Sequence, residues 1–226
     1  MAQPQFLIIA LDGGAATGKS STSRGVAQQH NLLHVDTGTH YRALTLACLD
    51  AAVAPAPSPD LVTLLQELEL GCQVREREAS ITLNGRAPAL TELRSEEVNA
   101  LVSRYAALPD VRDAVKAYQR SLADVARQKG FDGLIMDGRD IGTVIFPDAD
   151  LKIFLFADER TRSERRAAEG QVDAIGDRDK ADQQRKIAPL QAASDAHRVD
   201  TGDLSLEEVI AHVSRLITET RNAKEA

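Results

Sequence analysis

The sequence predicts a three-layer α/β fold, with a parallel sheet covered by helices on both faces. Three observations carry this. A short apolar run at residues 6–11 is broken by Asp12-Gly13 and followed by a stretch at 22–30 that can carry a helix. Further apolar runs of strand length at 32–36, 133–137 and 151–156 alternate with segments of helical spacing. The chain then closes on an amphipathic helix at 205–222, in which Leu206, Val209, Ile210, Val213, Leu216 and Ile217 share one face. Strands that alternate with helices pair in parallel and bury both faces of their sheet.

Each element has a local reason. Residues 32–36 form a second strand ending in a polar turn at Thr37-Gly38-Thr39, and a helix follows over 40–49. The proline-rich stretch 54–59 suits neither helix nor central strand and reads as a linker. Ser58 or Asp60 opens the next helix, whose Leu61, Leu64, Leu65 and Leu68 recur at helical spacing. Between Cys72 and Leu83 the apolar positions alternate, and Asn84-Gly85 predicts a hairpin turn in a small antiparallel insertion. Helix returns over 93–108 and again from Pro109 to about Lys129. Asp158 is placed to cap the helix after the strand at 151–156. The charged, glycine-containing stretch 170–186 reads as a mobile segment, 196–200 as a last weak strand, and Ser205 with Glu208 as a capping box.

Bulk properties narrow the function. With 226 residues the chain can bury a sizeable core, and 43% hydrophobic and 27% charged residues fit a globular domain. A net charge of -7 argues against nucleic-acid polymers and anionic membranes as partners. Cys48 and Cys72 read as free thiols rather than a disulfide framework. The uncharged start of the chain, with only a strand-length apolar run behind it, reads as lacking a signal peptide. No segment reaches the ~20 apolar residues of a membrane span. The expectation is a cytoplasmic protein. No long heptad or apolar helix suggests an obligate partner, so a monomer is expected.

The chemistry centres on Gly13-Gly14-Ala15-Ala16-Thr17-Gly18-Lys19-Ser20-Ser21, which matches the phosphate-loop pattern Gly-x-x-x-x-Gly-Lys-Ser/Thr without a gap. Small residues let successive backbone N–H groups surround an anionic oxygen, and the following helix presents its positive end. Lys19 is expected to reach the β- and γ-phosphates of a nucleoside triphosphate, and Ser20 to offer a hydroxyl to Mg2+. Asp137, at the end of a buried strand, is placed to orient that magnesium. Gly138 follows it, and then Arg139 suits a phosphate through its planar guanidinium. Asp36, Thr37, Tyr41 and Arg42 lie at another strand end and gain meaning if a second substrate binds near the loop. Arg160, Arg162, Arg165 and Arg166 crowd one helix, and Arg178 and Arg185 flank Asp179 and Asp182. A lid bearing arginines closes over a transferring phosphoryl group and excludes water.

These residues are joined by longer strings: D-G-R-D-I-G-T-V-I-F-P at 137–147, L-R-S-E-E-V-N at 93–99, A-A-L-P-D-V-R at 106–112 and R-D-K-A-D-Q-Q-R at 178–185. Together they make the chain similar, from about Phe6 to Thr220, to the bacterial cytidylate kinases, which are nucleoside monophosphate kinases. The resemblance implies a P-loop NTPase core (1–38, 110–159 and 188–226), a monophosphate-binding insert (39–109) and a mobile lid (160–187). It implies ATP with Mg2+ as donor and CMP or dCMP as substrates. Under the resemblance, Ser103, Arg112 and Asp140 recognise cytosine, and Arg42, Arg139 and Arg185 hold the monophosphate. Asp182 contacts the sugar, Tyr41 lines the pocket, and Arg162 and Arg178 reach the triphosphate or the transferring group. Thr37 stands where the family often has serine, so a hydroxyl for the sugar is kept, and Gly14 replaces a frequent proline. Two other functions are compatible with the phosphate loop: a kinase for UMP or shikimate, and a nucleotide switch with no second substrate.

Overall fold

The computed structural model describes residues 5–168, 182–185 and 187–225. A seven-stranded sheet runs through the molecule in the order β3-β4-β2-β5-β1-β6-β7. Its parallel centre is β2 (Leu32–Asp36), β5 (Gly133–Gly138), β1 (Leu7–Gly13), β6 (Leu151–Phe156) and β7 (His197–Asp200). The helices are α1 (Lys19–His30), α2 (Thr37–Asp50), α3 (Pro59–Glu67), α4 (Leu90–Leu93), α5 (Glu96–Tyr105), α6 (Pro109–Gln128), α7 (Glu159–Ala168) and α8 (Leu206–Glu225). A π-helical turn spans Ile141–Ile145.

Alternation along the strands divides the core in two. Leu7, Ile9 and Leu11 of β1 face one side with Val26 of α1 and Val209, Val213 and Ile217 of α8. Ala10, with Leu33, Val35, Leu134 and Met136, faces the other side, against Leu44 of α2 and Val111, Val115 and Leu122 of α6. Each fully buried leucine or isoleucine contributes about 1.5–3 kcal/mol relative to exposure. Strand runs that are apolar on both faces thus enforce the three layers. The parallel strands end together at the carboxyl edge of the sheet, where the phosphate loop, Asp36, Asp137 and Arg139 lie.

Several expectations are met at the level of single bonds. The Ser58 hydroxyl accepts from the Leu61 N–H at 3.2 Å, with Pro59 at the first helical position. Asp158 accepts from the Thr161 N–H at 2.9 Å. Ser205 and Glu208 form their reciprocal capping box, at 3.2 and 2.8 Å. Cys48 and Cys72 are both free thiols. Among the described residues no helix is long and apolar enough to cross a membrane. The expected mobile stretch 170–186 falls largely outside the described residues.

Four expectations need correction. The hairpin of β3 (Leu70–Arg75) and β4 (Glu78–Leu83) reverses at Glu76-Arg77, not at Asn84-Gly85. Glu76 takes the left-handed conformation there, at φ 52°. Asn84 and Gly85 do make a tight turn with φ 49° and 78°, but it pairs only Leu83 with Arg86, because Pro88 ends any further strand. Nor is the hairpin a separate sheet, since β4 joins the edge of the main one through His34 and Glu78. The helix expected over 93–108 is broken at Ser95, whose hydroxyl accepts from the Val98 N–H at 3.3 Å and starts α5 afresh. Finally, Thr37-Gly38-Thr39 is no turn: the Asp36 carboxylate accepts from the Gly38 N–H at 2.9 Å, so α2 begins at once.

His40 of α2 is fully buried against Tyr118, ring centres 5.0 Å apart, and its Nε2 has no hydrogen-bond partner among the described residues. Burial pulls its pKa down from 6.5 to about 3. The unfolded chain therefore takes up a proton near pH 6.5 that the folded one refuses. Stability from this group is present above pH 6.5 and is lost as pH falls, by up to about 1.4 kcal/mol per pH unit. His40→Phe is expected to flatten the fall of the unfolding free energy, read from urea titrations between pH 6.5 and 4.5, by up to that amount. An identical slope in both proteins would contradict it.

Candidate active site

The phosphate loop runs from the end of β1 into α1. Gly18 adopts φ 85° at the helix start, and a Cβ at Gly13 would come within 2.3 Å of the Leu155 carbonyl oxygen. Glycine is needed at both points. Gly14, Ala15, Ala16 and Thr17 complete the turn, with the Thr17 hydroxyl donating to the Gly14 carbonyl at 3.0 Å. Lys19 is buried, and its Nζ donates to the same carbonyl at 2.5 Å. Ser21 is exposed on α1 beyond the loop.

Opposite the loop, β5 ends in Asp137. The Ser20 hydroxyl donates to Asp137 Oδ1 at 3.2 Å, so a hydroxyl and a carboxylate converge at the head of α1. Both are hard oxygen donors of the kind magnesium takes, and the pair fits that ion. Asp36, across the β2–β5 pair from Asp137, has its carboxyl raised by burial and by the neighbouring Asp137 charge. Thr37 donates its hydroxyl to the Asp137 carbonyl at 2.8 Å. The proton expected to serve a sugar is thus committed to the sheet. Gly138 is tightly enclosed: a Cβ there would lie 2.6 Å from that hydroxyl oxygen.

The segment after Gly138 is held by a residue whose role sequence reasoning missed. Asp12, buried at the end of β1, accepts from the Ile141 and Gly142 N–H groups at 2.8 Å each. Burial pushes its carboxyl up to about 7, against the pull of those two donors. With this segment fixed, Asp140 meets Arg112 of α6 in a buried ion pair. Burial raises the Asp140 carboxyl, opposed by Arg112 and Arg185. Arg112 also donates to the Ala106 carbonyl at 3.1 Å, at the end of α5, and half-buried Ser103 lies one turn earlier on that helix. The Arg112 guanidinium lies 5.5 Å from the centre of the Tyr41 ring. The Tyr41 hydroxyl is buried with no hydrogen-bond partner among the described residues, and burial raises its pKa to about 12. An unsatisfied buried hydroxyl beside a buried ion pair is a polar cluster that a ligand's hydrogen-bonding groups could complete.

Further arginines converge on the same edge of the sheet. Arg139 donates from Nη1 to the Gly13 carbonyl at 2.8 Å and from Nε to Asp182 at 2.9 Å. Asp182, itself buried, also pairs with Arg185. Arg42 of α2 reaches the Leu93 carbonyl at 3.0 Å and Asn99 at 2.6 Å. Arg162 of α7 donates to the Ala15 carbonyl at 3.2 Å, over the phosphate loop. Arg165 instead braces Thr201 behind that loop, and Arg160 pairs with Glu164 in solvent. Arg178 lies outside the described residues.

His34 was also missed. Its Nε2 sits 2.7 Å from Asp137 Oδ2, on the oxygen that Ser20 leaves free. Burial works against the charged ring, but the hydrogen bond with Asp137 and the nearby carboxylates outweigh it and hold His34 at about 9. Polar residues embedded in the apolar strands β1 and β2 were the available signal for Asp12 and His34.

A phosphate loop, a hydroxyl–carboxylate pair at its head, and a cluster of arginines with a buried arginine–aspartate pair at the same edge of the sheet define an ATP-dependent nucleotide kinase. The sequence profile that matches residues 9–219 is that of cytidylate kinase. The chain belongs to the cytidylate kinase family. Among its relatives, a cytidylate kinase of an Exiguobacterium species is 38% identical over 226 residues, covering 95% of this chain and 98% of that protein. One from Streptomyces avermitilis is 39% identical over 225 residues, covering 96% and 95%. A third, from Limosilactobacillus reuteri, is 35% identical over 228 residues, covering 96% and 97%.

Proposed function

We propose that the protein transfers the γ-phosphate of ATP to CMP or dCMP, in the cytoplasm, giving the diphosphate. The buried Arg112–Asp140 pair carries the choice of base. A carboxylate accepts from the amino group of cytosine, whereas uracil would present it with a carbonyl lone pair. Ser103 completes the base site, Arg42, Arg139 and Arg185 hold the monophosphate, and Asp182 serves the sugar while keeping both neighbouring arginines in place. The division into core (1–38, 110–159, 188–226), monophosphate insert (39–109) and lid (160–187) follows, with Arg162 of the lid already over the phosphate loop.

Gly13–Ser20 cradle the triphosphate, and Ser20 and Asp137 would hold magnesium. When bound, that ion supplies charge neutralisation at the β- and γ-phosphates. The attacking group is a phosphate oxygen of CMP, ionised at neutral pH, so no strong general base is needed. No covalent enzyme intermediate is required. Lys19, Arg162 and Arg178 offset charge on the transferring group, and the closed lid keeps water from attacking in place of CMP.

The test is ADP release from ATP and Mg2+ with CMP, dCMP, UMP, AMP and dTMP added separately. Turnover with CMP and dCMP well above the others is the expected result. Equal turnover with UMP would overturn the base-reading role of Asp140, and no stimulation by any monophosphate would overturn the assignment as a kinase of nucleotides.

A further inference from the structure

The hydrogen bonds and ion pairs around Asp137 close into a ring that passes through four elements. On α1, Ser20 donates to Asp137 Oδ1 at 3.2 Å and Arg24, one turn later, pairs with Glu78 at 2.6 Å. Glu78 of β4 lies 3.8 Å from His34 Nδ1 on β2, and His34 Nε2 returns to Asp137 Oδ2 at 2.7 Å. His34 is also the residue through which β4 joins the sheet: its N–H donates to the Arg77 carbonyl at 2.7 Å, and Glu78 is its ladder partner. His34 and Asp137 are both almost fully buried, at 3% and 2% exposure. Each oxygen of Asp137 therefore has one side-chain partner. The histidine is the one with no part in holding nucleotide.

We propose that His34 is a positioning residue, which with Glu78 behind it locks the Asp137 carboxylate so that Oδ1 stays turned to Ser20. The inference rests on Ser20 and Asp137 being the magnesium-holding pair. A carboxylate anchored at one oxygen has lost its rotation before the ion arrives, so less order is lost on binding. With His34 removed, Oδ2 is buried without a side-chain donor and the group turns away from α1 to find one.

The experiment measures ADP binding by calorimetry with and without Mg2+, alongside the Mg2+ dependence of turnover and the KM for CMP. In His34→Leu the gain in ADP affinity that Mg2+ brings is expected to shrink about tenfold. Metal-free ADP binding and the KM for CMP stay within about twofold, as expected of a group that acts through Asp137 alone. His34→Gln, whose amide can donate to Oδ2, restores most of the gain. Glu78→Gln, at a side chain 51% exposed, is expected to reduce the gain by about threefold, a fraction of the direct partner's effect. A folded His34→Leu or Glu78→Gln protein with the wild-type gain overturns the proposal. So does equal weakening of metal-free and metal-dependent binding in both His34 variants. Asp137→Asn separates the two levels. If it keeps the full gain, the magnesium assignment fails and the proposal with it; if it loses the gain while the His34 variants keep theirs, only the proposal fails.

Discussion

Lys19→Ala is expected to lower turnover with CMP by about three orders of magnitude while leaving the fold intact. The ammonium is buried beside the loop and rests on the Gly14 carbonyl at 2.5 Å, already turned into the cradle. Removing one fixed donor to developing charge in a dry site costs about 10²–10³ in rate. A lysine that also neutralises the ground-state triphosphate belongs at the upper end. The fold has little to lose, because Lys19 opens α1 and alanine is the better helix former. Steady-state kcat with a thermal melt on the same sample checks both halves. Near-normal activity would sink the kinase assignment, and a collapsed melt would show that Lys19 supports the loop itself.

Asp140→Asn is expected to cut the preference for CMP over UMP by about ten- to hundredfold, since reading one base edge is worth roughly 1–3 kcal/mol. An amide presents both a donor and an acceptor, so it pairs with the amino group of cytosine or the carbonyl of uracil by rotation. The same change leaves the Arg112 guanidinium facing a neutral group in a buried site, at a stability cost of about 3 kcal/mol. Comparing kcat/KM for the two substrates within one preparation removes that complication, because a ratio does not depend on the fraction folded. An unchanged ratio would count against Asp140 as the group that reads the base.

The parts of the site visible in the sequence are those whose residues are neighbours in the chain. The phosphate loop is contiguous, and Asp137, Arg139 and Asp140 stand out as a polar cluster ending an apolar strand. Asp12 and His34 did not stand out, because their partners lie more than a hundred positions away, at Ile141, Gly142 and Asp137. Within an apolar strand, one polar residue looks like a strand terminus until the parallel register sets it beside a distant backbone or carboxylate. The hairpin shows the opposite error. Asn84-Gly85 is the stronger local turn signal, yet the pairing of Cys72 with Ile81 and Val74 with Ala79 places the reversal at Glu76-Arg77. Asn84-Gly85 does turn, but the longer pairing is fixed by the register that buries one face of β3 and β4.

Asp182 has a consequence for how substrate arrives. Two guanidiniums and one carboxylate leave the Arg139–Asp182–Arg185 cluster with a single net positive charge. On the proposed function, an incoming phosphate dianion meets arginines whose charge is already partly balanced by a seated carboxylate, instead of stripping a cloud of small anions from bare arginines. The attraction felt at a distance is correspondingly weaker, and so is its screening by added salt. On that reading, capture of the monophosphate is set by contacts made on arrival, and its KM is expected to change little with added salt.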